Sequence, residues 1–290
     1  MASSGSGAPS GREVGMAYTR GAGIIRFTPA FPPFTILYHA VLAAVRVVDW
    51  LVYNITIKGR GNLGRIDGAV LVSNHTLLLD PGIIAHAIGP CRTYFTMLEE
   101  TALIPFLGTF VRLLGGVPIP ERPSALATLD SAARSALEEL GFIHFFPEGD
   151  CYQGCQDIRR FHPGAFLIAC RLGVPVIPVT TVLHERRWRG KSEFRILGRT
   201  VRLPPRITVV IGQPVPPPLA VLPPAGGREI DFSLKNAARL MNQRVRETMQ
   251  ATIDREGGSR NLYRGMMPRL VKRGGKPDDP ARDGHFQRGP

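Results

Sequence analysis

Acidic residues are the first shortage in this chain. Its 290 residues hold 23 Asp and Glu against 36 Lys and Arg, a formal net charge of +13. Such a surface attracts anionic partners, whether nucleic acid, anionic membrane or phosphorylated small molecules. Cysteine is scarce too. Cys91, Cys151, Cys155 and Cys170 are too few to staple a chain of this length. The Cys151–Cys155 spacing lacks the second ligand pair of a structural zinc site. All four read as free thiols in a reducing compartment, and no metal is expected. The first 22 residues are Gly/Ser-rich and polar, without an apolar run behind a basic start, which argues against a secretory signal peptide. No internal repeat and no GxSxG nucleophile elbow occurs. Gly190-Lys191-Ser192 ends like a phosphate-binding loop, but Glu185 stands where the first glycine belongs. Gly59-Arg60-Gly61-Asn62-Leu63-Gly64 fits GxGxxG, with Asp80 at a plausible distance for a ribose contact. No helix opens at its third glycine, however, so a Gly-rich hairpin loop is expected in place of a dinucleotide site. Basic residues interleave with an aromatic only at Arg186-Arg187-Trp188-Arg189, so nucleic acid is excluded as a partner. That cluster suits an anionic lipid surface, at about 1 kcal/mol per basic residue.

Apolar residues are plentiful at 44% of the chain, enough for a substantial core. The longest run, Phe34 to Tyr53, has nearly the roughly 20 residues needed to span a bilayer. Arg46 and Asp49 sit inside it, each costing about 2.5–3.5 kcal/mol at the centre of a spanning helix. His39, Arg46, Asp49 and Tyr53 recur at helical spacing, leaving a wide apolar remainder. The pattern predicts an amphipathic helix lying in the membrane interface or dipping into one leaflet.

Beyond this segment, short β-like runs alternate with helical ones. Strands are expected at Ile55–Lys58, Ala69–Ser73, Phe142–Phe146, Val174–Leu183 and Ile207–Ile211. Helices are expected at Thr76–Ile88, Phe106–Leu114, Leu126–Leu140 after a Ser124 cap, Pro163–Leu172 and Asp231–Ile253. The alternation predicts an α/β fold, a mostly parallel sheet flanked by helices. The organisation expected is a disordered tail over 1–22, a membrane-associating helical segment over 23–54, a main domain over 55–260 and a basic disordered tail over 261–290.

Four motifs follow one another. Asn74-His75-Thr76-Leu77-Leu78-Leu79-Asp80 leaves a buried strand, and a His–Asp pair can orient one imidazole nitrogen while freeing the other as a base. Gly116-Val117-Pro118-Ile119-Pro120-Glu121-Arg122 comes next, then Phe146-Pro147-Glu148-Gly149 after a second apolar strand. Val174-Pro175-Val176-Ile177-Pro178-Val179 closes the series.

In order and spacing these blocks resemble the 1-acylglycerol-3-phosphate acyltransferases and their lysophospholipid acyltransferase relatives, over about Ile55 to Pro217. The resemblance implies a glycerolipid acyltransferase-like αβ sandwich with an N-terminal membrane anchor. It implies acyl transfer from acyl-CoA or acyl-carrier protein, a co-substrate, to the free hydroxyl of a lysophospholipid, foremost 1-acyl-glycerol-3-phosphate. His75 would be the general base, oriented by Asp80. Arg122 would bind the acceptor phosphate with its two-pronged guanidinium. Glu148 and Gly149 would line the acceptor pocket, and Asn74 and Gly116 would complete the substrate-binding set. A thioester is already activated, so no protein nucleophile is required. The partners implied are the acceptor, the thioester donor and an anionic membrane surface, with the protein peripheral or monotopic on the cytoplasmic face. The chain departs from the family at Asp150 and Cys151, where Thr or Ser and then Arg are usual. It departs again at Phe161-His162-Pro163-Gly164, which lacks a basic residue in the usual place, and at Tyr94–Glu100, which lacks a lysine. These changes leave open another lysolipid or an amine-bearing acceptor, or a non-catalytic membrane-bound module of the same fold.

Overall fold

Ala69-Val70-Leu71-Val72 is apolar at every position, the composition of a strand covered on both faces. In the computed structural model these four residues are fully buried at the centre of the molecule. The structure describes residues 32–64, 66–102, 104, 106, 108, 111–112, 114–119, 126–196, 199–218 and 227–267. Its elements in chain order are α1 (Pro32–Val48), β1 (Thr56–Lys58), β2 (Ala69–Ser73), α2 (Asp80–Ile88), β3 (Tyr94–Leu98), β4 (Gly116–Ile119), α3 (Leu126–Leu140), β5 (Phe142–Phe145), β6 (Tyr152–Gln153), α4 (Gly164–Leu172), β7 (Val176–His184), β8 (Glu193–Ile196), β9 (Arg199–Arg202), β10 (Arg206–Ile211), α5 (Gly227–Glu256) and β11 (Gly265–Met266). A wide π-helical turn, Asp49–Tyr53, prolongs α1.

Among the described residues the main sheet has seven strands in the order β1-β10-β7-β2-β5-β3-β4. Every pairing is parallel except β10 with β7. The expected mostly parallel α/β sheet is the fold observed. Helix α3 packs on β5, α5 on α4 and β7, and α1 on α2.

Local chemistry explains where the elements differ from the sequence-based expectation. Helix α2 begins at Asp80 instead of Thr76, because the Asp80 carboxylate takes the backbone N–H groups of Thr76 and Leu77 (2.6 and 2.8 Å). Pro81 then fits the first turn, where a missing N–H costs nothing. The glycine-rich loop 59–64 is not a hairpin. Strand β1 pairs with β10 while β2 pairs with β5 and β7, so the loop carries the chain across the sheet. Asn62 donates to the Ile211 carbonyl, and a Cβ on Gly59 would lie 2.1 Å from that oxygen. Strands β3 and β4 and the β8–β9 hairpin were not anticipated, and α5 is longer than Asp231–Ile253. Residues 261–267, assigned to the basic tail, pack on the domain: Leu262 is buried and β11 pairs with β6. The predicted helix Phe106–Leu114 lies partly outside the described residues, with Gly108, Val111 and Arg112 helical among those described; the Ser124 cap, tail 1–22 and residues 268–290 lie wholly outside them.

Candidate active site

Parallel sheets bind ligands outside the carboxyl ends of their strands. Adjacent strands β2 and β5 run parallel with Leu71 opposite His144. The residues just past each strand end therefore meet, and these are His75 and Glu148. Glu148 is buried and bridges two loops: Oε2 accepts the His75 N–H (3.0 Å) and Oε1 accepts the Arg159 N–H (3.0 Å). The Tyr152 N–H donates to the His75 carbonyl and the Gly154 N–H to the Thr76 carbonyl, both at 2.9 Å. Both ends of the His75 peptide are thereby fixed by the 148–154 loop.

The His75 ring is fixed as well. Its Nδ1–H donates to Asp80 Oδ2 at 2.9 Å, since a carboxylate can only accept. Asp80 has no exposure, whereas the His75 side chain keeps 21%. One ring face stacks on Phe146 at 4.2 Å, and Phe146 in turn meets His144 edge-on at 4.5 Å. Behind them the His144 Nε2 and the Ser73 hydroxyl share a 2.7 Å hydrogen bond. Cys151 lies close enough to the His75 ring to influence it. Cys151 is buried.

Electrostatics separates the three titratable groups. Burial alone would lower His75, but the hydrogen bond to Asp80, the contact with Cys151 and the Asp80 charge outweigh it and raise the imidazole to about 10. Burial, with the nearby His75 charge, pushes His144 down to about 3, so it is neutral. Burial raises Glu148 to about 7 against its two backbone donors and the His75 charge.

The other expected site residues take the following places. Asn74 is buried with both ends of its amide on Thr181, Nδ2 donating to the carbonyl and Oδ1 accepting the N–H (2.9 Å each). It is a strut between β2 and β7. Glu148 is likewise a latch beneath His75, each oxygen accepting one backbone N–H. Gly149 takes a left-handed φ of 78°, and a Cβ there would lie 3.0 Å from the His162 ring. Gly116 is level with Phe95, and Phe95 with His144. That puts it level with Leu71, on the edge strand β4. Arg122 lies outside the described residues. It follows the carboxyl end of β4, which leaves the sheet on the same side as β2 and β5. Among the described residues no group of three or more His, Cys, Asp or Glu is placed to hold a metal ion. Sequence reasoning missed the Cys151 contact and the Phe146 stack, although the equal reach past two neighbouring strand ends would have pointed to both.

The mostly parallel sheet thus carries a carboxylate-oriented histidine at its carboxyl edge. Residues 54–182 match the acyltransferase family model. Several relatives are named 1-acyl-sn-glycerol-3-phosphate acyltransferase. One from Chlamydomonas reinhardtii is 33% identical over 169 residues, covering 57% of this chain and 48% of that protein. A UDP-N-acetylglucosamine–N-acetylmuramyl-(pentapeptide) pyrophosphoryl-undecaprenol N-acetylglucosamine transferase of Streptomyces collinus is 29% identical over 155 residues, covering 52% of this chain and 40% of that protein. The crystal structure of a 1-acyl-sn-glycerophosphate acyltransferase from Thermotoga maritima overlays 76% of this chain and 84% of that one, at 22% identity and a TM-score of 0.44. The chain spans about half the length of the curated relatives it matches.

Proposed function

We propose that this protein transfers a fatty acyl group from a thioester donor, acyl-CoA or acyl-carrier protein, to the free hydroxyl of a lysophospholipid, foremost 1-acyl-glycerol-3-phosphate. The observation that carries this reading is the 2.9 Å bond from His75 Nδ1 to buried Asp80, within the segment that matches the acyltransferase family. Its bond to Asp80 leaves Nε2 of neutral His75 as the acceptor of a proton. That nitrogen takes the hydroxyl proton as the oxygen attacks the thioester carbonyl. The carbon–sulfur bond breaks, and the imidazolium returns the proton to the departing thiol. Asp80 stabilises the imidazolium without taking its proton. Arg122 holds the acceptor phosphate.

The acceptor hydroxyl must approach the ring beside which Cys151 lies. A histidine titrating near 10 is cationic at pH 7 and cannot act as a base. An acceptor that displaces the Cys151 sulfur removes one of the two contacts that raise it. Binding thus helps to free the base.

The membrane is the expected surface for these lipids. Helix α1 and its turn form an apolar stretch, Ile36–Tyr53, of which 17% is buried. Ile36, Val47, Trp50 and Leu51 are exposed on it, and Trp188 is exposed in the basic cluster 186–189. The protein is proposed to lie peripherally on the cytoplasmic leaflet.

The test is a transfer assay with a panel of lysolipids and both donors, products read by mass spectrometry, on wild type and His75→Ala. Losing a general base should lower turnover about 10²–10⁴-fold. Near-wild-type turnover by a folded His75→Ala protein removes His75 from the chemistry.

The Cys151 contact favours a second reading, in which the thiol is the nucleophile. Its sulfur would attack the donor, His75 would pass the thiol proton to the leaving group, and the acyl group would wait on Cys151 for the acceptor. Incubation with donor alone separates the two: one acyl mass added at Cys151 supports this route, and an unchanged mass eliminates it.

A further inference from the structure

Asp49 is out of place in an apolar interfacial helix, where an acidic side chain belongs on the water side. It is 1% exposed. The buried line along α1 is Tyr38, Leu42 and Asp49, and Val45 on the same stripe touches α2: a Cβ on Gly82 would lie 3.2 Å from its methyls. The face that carries Asp49 is the face that docks on the domain, and Trp50 and Leu51 point outward. Where the helix widens into its π-helical turn, Asp49 Oδ2 accepts the Nδ1–H of His86 at 2.7 Å. Its other oxygen, Oδ1, is buried with no hydrogen-bond partner. A carboxylate held that way is a costly means of packing two helices, and an apolar pair would do it more cheaply. What such a pair supplies is one fixed position.

The helix it fixes is α2, nine residues long, with His86 near one end and Asp80 as its first residue. Further grips come from the same side. Arg60 donates to the carbonyls of Ala87 (2.9 Å) and His86 (3.1 Å), and the Arg46 guanidinium lies 3.0 Å from where a Gly89 Cβ would be. Tyr53, at the end of the turn, lies within the fields of both Asp49 and Asp80. The membrane-facing segment and the candidate base are thus the two ends of one short rigid body.

We propose that Asp49 and His86 are positioning residues for His75: their hydrogen bond seats α2 on the anchor segment and so holds the Asp80 carboxylate against the imidazole. The proposal rests on the reading of His75 as base. It makes the base aligned only while the anchor is docked on α2.

The test uses the full chain on anionic phospholipid vesicles, with Asp49→Ala, Asp49→Asn and His86→Ala. Asn keeps an oxygen that can accept the His86 N–H, whereas Ala does not. Asp49→Ala and His86→Ala are expected to lower kcat at least about tenfold, since an ångström of misplacement can cost 10². The acceptor KM should stay within about twofold, as expected when no binding contact is lost. Asp49→Asn should recover most of the rate, and vesicle binding should be unchanged throughout. A second readout needs no turnover: the low-field Nδ1–H proton resonance of His75 should move or broaden in Asp49→Ala and return in Asp49→Asn. Wild-type kcat with an unmoved His75 resonance in Asp49→Ala overturns the proposal. Loss of vesicle binding with an undiminished rate for the bound fraction overturns it too, and makes Asp49 part of the anchor alone. If His75→Ala keeps its turnover, the reading of His75 as base fails, while the resonance still decides whether Asp49 aligns the His75–Asp80 pair.

Discussion

His75 is held from four sides: Glu148 on its backbone N–H, Tyr152 on its carbonyl, Asp80 on one ring nitrogen and Phe146 on one ring face. Its remaining freedom is the contact with Cys151, so the informative residue-scale tests are made there and at Asp80. Asp80→Asn keeps the shape but presents an amide that also donates, so the ring loses its orienting charge. Turnover should fall severely, though less than in His75→Ala, and a full rate would remove Asp80 from the orienting role. Cys151→Ala removes one of the two contacts that raise His75. Because a base works only when neutral, activity rises with pH through the His75 pKa. The acid limb of the kcat/KM profile should therefore move to lower pH in Cys151→Ala, and an unmoved limb refutes the coupling. Asp150, partly buried just past Gly149, tests acceptor choice. Asp150→Thr should improve use of a phosphomonoester acceptor relative to a zwitterionic one across the lysolipid panel if the carboxylate faces that acceptor, and should change selectivity little if a neighbouring arginine pairs it. An unchanged acceptor profile excludes like-charge repulsion at this position.

At the scale of elements, the anchor separates two roles that one helix combines. Tyr38 and Leu42 belong to the core, so deleting residues 1–53 would damage the fold as well as the membrane face. Surface changes are the cleaner test. Trp50 and Leu51 are 74% and 63% exposed. The double variant Trp50→Glu/Leu51→Glu should lose vesicle binding with thermal stability nearly unchanged. Binding that survives in a flotation assay rules out this face as the anchor. Salt should not release the wild type, because ions screen charge and leave apolar burial intact. The helical spacing of 34–53 made the helix legible in the sequence, but not which stripe docks: periodicity records that a face differs, and only the partner, here Gly82 and His86, says what the face meets. Strands β3 and β4 were missed for a related reason. Four or five residues such as Gly116-Val117-Pro118-Ile119 carry little pattern of their own, and their partners across the sheet make them strands.

For the whole molecule, acid stability should report on the buried imidazole behind the site. His144 has no exposure and its pKa falls from 6.5 to about 3 on folding. The unfolded chain takes up that proton first. Stability is therefore complete above about 6.5 and is lost towards pH 3, at roughly 1.4 kcal/mol per pH unit. Glu148, raised to about 7, acts in the opposite sense, its contribution lost as pH rises between about 4.5 and 7. His144→Gln keeps a partner for Ser73 and removes the imidazole term alone. Urea midpoints of the two proteins should draw together, then cross over, as pH is lowered. A constant difference between them refutes the neutral buried state.

The sequence by itself determined the alternation of strands and helices, the apolar central strands, the four blocks in order and the His75–Asp80 pair. Each of these is written within a few consecutive residues, where period and spacing act directly. Only the tertiary structure decided what the remaining residues meet. Asn74 and Glu148 became struts because their polar atoms meet Thr181, Arg159 and the His75 backbone. Gly116 fell at the far level of an edge strand. Cys151 came to lie beside the His75 imidazole. Asp49, an anomaly in an apolar run, found His86 on a helix 37 residues away. Partnerships across such separations depend on strand order and register, which short-range pattern does not encode.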